Sequence, residues 1–168
     1  MIKDQSFLDD KASYCIDCAK KKGATDVQVS VGNSVSETVN FRNKKLDESE
    51  RSDTLILNLT TFINKRKSTI SSSNIENNNL DILINRCVET AKNSPEDECN
   101  TLPEQELLAK KISELNLYDK NHISNEKKIN FLTEVEENVF MDDKIENSES
   151  SFSENKSIFT LANSKGFL

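Results

Sequence analysis

Tryptophan is absent, and glycine (3), proline (2) and histidine (1) are scarce among the 168 residues. So few glycines cannot build a phosphate-cradling loop, and no serine lies in Gly-x-Ser-x-Gly, the turn that exposes a hydrolase nucleophile. With His122 alone, the chain cannot form a histidine-based metallopeptidase centre or a His-Glu-x-x-His helix by itself. No apolar run approaches the ~20 residues of a membrane span. The opening Met1-Ile2-Lys3-Asp4-Gln5 lacks the basic-then-apolar pattern of a secretory signal. A cytoplasmic protein is therefore expected, with Cys15, Cys18, Cys87 and Cys99 as reduced thiols. In that compartment the Asn-x-Ser/Thr triplets at Asn58 and Asn155 carry no glycosylation meaning.

What is abundant is acid. Asp and Glu number 29 against 22 Lys and Arg, for a net charge of −7 and a pI near 4.9. Such a chain repels phosphate backbones, and no basic stripe interleaves with aromatics, so direct nucleic-acid binding is not expected. Hydrophobic residues are 35% and mean hydropathy is −0.64, which allows a modest core. The length fits one domain, residues 1–168.

Hydrophobic periodicity gives the elements. Phe7, Leu8, Ala12, Cys15, Cys18 and Ala19 recur at helical spacing over 6–22, with Lys20-Lys21-Lys22 at the C-terminal end of the dipole and Gly23 as the closing residue. Val27, Val29 and Val31 alternate as a strand, Gly32-Asn33 reads as a turn, and Val35 to Phe41 as a second strand. Residues 43–49 read as a polar connection. Leu55, Leu57 and Leu59, with Ile56 on the other face, read as a third strand. Asn64 to Lys67 reads as a turn before a fourth over 68–72. Asn79 is the expected cap of a helix carrying Leu80, Leu83, Ile84, Cys87, Val88 and Ala91, which ends before Pro95. Pro103, Leu107, Leu108 and Ile112 suggest a short helix. Ser124 or Asn125 opens another, with Ile129, Leu132, Val135 and Val139 inward. Two strands close the chain, over 145–153 and 157–161. The expected class is α+β, a mainly antiparallel or mixed sheet flanked by helices, in the order α-β-β-β-β-α-(α)-α-β-β.

Candidate chemistry is thin. Cys15-x-x-Cys18 lies inside a helix rather than at its start, where a dipole would lower a thiol pKa, and no second pair stands at zinc-knuckle spacing. Small core residues are the expected role. His122 sits in a polar linker and reads as a solvated histidine. Glu134, Glu136 and Glu137, with Asp142 and Asp143, are carboxylates that could do acid–base work or hold a metal, but they read as a solvated helix face. No catalytic, cofactor-binding or metal residue is assigned. A small thiol or zinc protein using Cys15 and Cys18 remains an alternative.

At the other end, Asn163 to Gly166 reads as a tight turn after the strand at 158–161. Phe167-Leu168 reads as the start of a partner strand. The chain is thus expected to be the front piece of a longer protein, with residues 145–168 opening a further sheet segment.

Several segments together carry a resemblance. Gly23-Ala24-Thr25-Asp26 leads into Val27-Gln28-Val29. Ser71-Ser72-Ser73-Asn74 precedes the Leu80 to Ala91 helix and Ser94-Pro95-Glu96-Asp97. Thr101-Leu102-Pro103, Glu106 to Ala109 and Leu117-Tyr118-Asp119 follow. Asn147 to Ser153 and Phe159 to Phe167 complete the set. In this order they resemble the N-terminal region of the TldD/PmbA family, on the PmbA (TldE) side, across nearly all of this chain and about a third of a typical member. The resemblance implies a cytosolic bacterial heterodimer. Its TldD subunit carries zinc on a His-Glu-x-x-x-His helix and cleaves unfolded peptides, and PmbA, without that motif, completes the chamber. The family is also linked with modulation of DNA gyrase. The implied role here is that of a noncatalytic partner subunit, with zinc and catalysis in a TldD-like partner, a peptide as substrate, and neither nucleic acid nor membrane bound directly. The zinc motif lies outside the matched region, so no catalytic residue carries over. Where family members read Leu-Gly-Leu-Arg-Val, this chain has Leu55-Ile56-Leu57-Asn58-Leu59. Ile56 fills the room a glycine would leave, and Asn58 removes an arginine contact. A non-enzymatic interaction module, or the relic of a decaying gene, is the alternative expectation.

Overall fold

The computed structural model describes residues 2–111 and 113–168. Met1, and Ile112 of the expected short helix, lie outside them. The elements are α1 (Gln5–Lys21), β1 (Asp26–Arg42), β2 (Lys45–Ile63), β3 (Arg66–Ser72), α2 (Asn77–Lys92), α3 (Asn125–Val139) and β4 (Glu149–Asn163), with one 3-10 turn at Gln105–Leu107. The strands form one sheet in the order β3-β2-β1-β4. β2 and β3 pair antiparallel, with Leu59 opposite Ile70. The expected α+β class, an antiparallel sheet with flanking helices, is what the chain forms. Among the described residues no helix is long and apolar enough to cross a membrane.

One expected turn is strand, and one expected connection is shorter than the sequence suggests. Gly32-Asn33 lies inside β1. Asn33 is buried there, accepting from the Lys3 amide at 2.7 Å and donating to the Thr54 carbonyl at 3.0 Å. Those partners satisfy a polar residue that would otherwise favour a loop. Residues 45–49, expected as a connection, are strand. The hairpin bends at Asn43 (φ 49°) and Lys44 (φ 64°), two left-handed residues that match the twist of the flanking strands. Asn64 (φ 48°) and Lys65 (φ 62°) repeat this geometry between β2 and β3, at the turn the sequence predicts. The two closing strands are one, β4. The short helix is only the 3-10 turn, and the residue preceding α2 is Glu76, not Asn79. Asn79 instead donates to the Asn74 carbonyl at 2.6 Å.

The chain divides into two compact units. The larger comprises residues 1–33, 54–113 and 157–168. Its core lies between one face of the sheet (Val27, Val29, Val31, Leu57, Leu59, Ala162) and the helices α1 and α2. α1 contributes Leu8, Ala12, Cys15 and Ala19, mostly small residues; α2 contributes Leu80, Ile84, Cys87 and Val88. Each large aliphatic buried here is worth about 1.5–3 kcal/mol. Tyr14 Oη donates to Asp81 at 2.6 Å and ties the two helices at their rim. Gly23, at φ 100°, closes α1 in a conformation that favours glycine.

The smaller unit comprises residues 34–53 and 114–156. α3 lays Leu132 against Val39 and Phe41, with Ile129 and Phe152 half-buried around them. Phe131 meets the Phe152 ring edge-on, with centroids 5.7 Å apart. Ser124, the expected start of α3, caps it by accepting from the Lys127 amide.

Candidate functional site: a buried charge network in the smaller unit

The face that α3 turns inward carries the expected Leu132, but it is not purely apolar. Its fully buried residues are Lys128, Leu132 and Glu136, four apart. Ile129, Val135 and Val139 flank them half-buried. A buried ammonium and a buried carboxylate on one helix are costly unless paired, and both are paired.

Lys128 Nζ lies 2.7 Å from Glu37 Oε2 on β1 and 2.9 Å from Glu154 Oε2 on β4. Only the first is an aligned hydrogen bond. Glu154 Oε2 is buried and held by charge rather than by an aligned donor. Arg51 on β2 pairs with the other oxygen of Glu37. Lys156 Nζ stands 3.3 Å from Glu154 Oε1 and donates to the Asn121 carbonyl at 2.8 Å. His122 Nδ1 comes within 3.5 Å of Glu154 Oε2. About two turns along α3, Glu136 accepts from the Lys44 amide at 3.0 Å and from Ser148 Oγ at 2.8 Å. Glu136 thereby clamps the Asn43-Lys44 hairpin.

Protonation follows from these contacts. The Lys128 ammonium, and then Lys156, hold the Glu154 carboxyl down to about 2 against its burial. Lys128 likewise holds Glu37 below the usual carboxylate range. Burial alone would depress the Lys128 pKa, but Glu37 and Glu154 outweigh it and raise it. Burial would raise Glu136, yet the Lys44 amide and the Ser148 and Ser150 hydroxyls leave it lowered. At neutral pH neither Glu37 nor Glu154 carries a proton to donate, and Lys128 has no free pair for attack.

Glu37, His122 and Glu154 bring ligand atoms within 4.8 Å of one another, the one grouping of metal-ligating side chains among the described residues. They do not fit a metal as arranged. The Lys128 ammonium already sits between the two carboxylates, and Arg51 and Lys156 claim further oxygens. The network is a set of compensated charges that fixes α3 to β1 and β4.

The residues singled out in the sequence are scattered. Cys15 is buried and its thiol is pushed up to about 12 by that burial and by Cys18, so it is inert at neutral pH. Cys18 is half-buried on the same helix, Cys87 is buried in α2, and Cys99 is exposed in a loop. His122 is exposed as expected, but it touches Glu154. Glu134, Glu137, Asp142 and Asp143 are exposed, as expected, while Glu136 is buried, which the sequence reading missed. Lys128, Glu37 and Glu154 were missed as well. The signal was the four-residue spacing of Lys128, Leu132 and Glu136. Ile56, 44% exposed, lies on the helix-free face of the larger unit's sheet, beside Gly32. Asn58 bridges strands there, accepting from Ser71 Oγ at 2.6 Å and donating to Ser30 Oγ at 3.3 Å.

No family model and no curated protein matches the chain. Solved structures do. A candidate modulator of DNA gyrase from Bacteroides thetaiotaomicron VPI-5482 superposes with a TM-score of 0.89 over 99% of this chain, at 22% identity. A candidate modulator of a DNA gyrase from Thermotoga maritima MSB8 gives 0.67 over 95%, at 17% identity. TldE from Thermococcus kodakarensis gives 0.73 over 93%, at 16% identity. The chain spans 38%, 36% and 35% of those proteins. At these identities the likeness shows a shared fold.

Proposed function

We propose that this chain serves as the N-terminal part of a PmbA/TldE-like subunit, the noncatalytic half of a TldD/PmbA-type protease, and acts in proteolysis of unfolded peptides through assembly with a TldD-like partner. The observation that carries this reading is the 0.89 TM-score over 99% of the chain. Two things support it: the order of the sequence motifs, and the TldE from Thermococcus kodakarensis among the solved structures of this fold. The network in the smaller unit agrees with a scaffold role, since Lys128 is paired with Glu37 and Glu154, and Glu136 is held by the Lys44 amide and the Ser148 hydroxyl, rather than left for chemistry. Zinc and the cleavage step belong, in this reading, to the partner, and the working compartment is the cytoplasm. Co-expression with a full-length TldD-like protein tests it. The tagged chain is expected to co-purify with that protein and to change its rate of hydrolysis of an unfolded casein substrate. A TldD-like protein that neither retains the chain nor alters its peptidase rate sinks the reading.

A further inference from the structure

We draw no further inference here: the strongest candidate, the open groove of about 480 Å³ in the larger unit where Lys11 of α1 stands beside the N-terminus of α2, rests on a helix N-terminus alone, since the Lys11 ammonium is taken by Asn77 Oδ1 at 2.6 Å and nothing in the structure shows what fills the groove.

Discussion

Lys128 is the residue on which the smaller unit turns. It is fully buried, and two carboxylates from two strands reach it. Removing one member of a buried ion pair costs about 3–5 kcal/mol, mainly because the abandoned charge stays buried. Lys128→Met is therefore expected to destabilise the protein by that amount in urea denaturation at pH 7. The loss should shrink near pH 4, where Glu37 and Glu154, no longer held ionised by the ammonium, protonate and shed the cost. A triple variant adding Glu37→Gln and Glu154→Gln is expected to recover most of the stability. If Lys128→Met alone melts like the parent at pH 7, the network contributes nothing. None of this could be read from composition. A lysine four residues before a leucine and eight before a glutamate looks like a solvated face when counted among so many charges. The spacing was visible in the sequence, but the partners that make it a buried face, Glu37 and Glu154, lie 91 and 26 residues away.

Among the elements, the turns show which signals survive in sequence. Asn64-Lys65 was legible because it separates two clear alternating runs. The connection starting at Asn43 was legible but its short extent was not, because residues 47–51 are polar on both faces and give no period-two pattern to mark a strand. Gly32-Asn33 carried a strong local turn signal that lost to tertiary contacts, the Lys3 amide and the Thr54 carbonyl. The helices were legible because α1 and α2 bury apolar stripes. Both hairpin turns nevertheless place a lysine at positive φ, where a side chain costs roughly 1–2 kcal/mol. Lys65→Gly converts the second turn to Asn-Gly, the favoured pair for this geometry. The Lys65 carbonyl keeps its bond from the Asp97 amide, and only an exposed ion pair with Glu98 is lost. Relief of strain exceeds the added chain entropy and the weak surface pair. A rise in melting temperature of about 1–3 °C by calorimetry is expected; a fall would show that the left-handed lysine is not strained.

For the molecule as a whole, the two units are held by different physics, and acid should separate them. The larger unit rests on an apolar cluster between sheet and helices. The smaller one has a small cluster, Val39, Phe41 and Leu132, and depends more on Glu37, Lys128, Glu154 and Glu136. The folded-state pKa values of the three glutamates are depressed, Glu154 to about 2. A carboxyl of this kind contributes its stability above its unfolded value, roughly 4.3, and loses it as pH falls through the folded value. The window for Glu154 is therefore about pH 5 down to 2. Lys128 runs the other way: its raised pKa contributes at all pH values below its ordinary one and fades only in alkali, so it does not offset the acid loss. Hydrogen exchange corrected for intrinsic rates, measured at pH 7 and pH 3, is the check. Amides of α3 are expected to lose protection at pH 3 by at least tenfold more than those of α1 and α2. Glu154→Gln, which no longer titrates, should flatten that contrast. Uniform loss of protection in all three helices would mean that the two units unfold as one and that the charge network is no weaker a foundation than the apolar core.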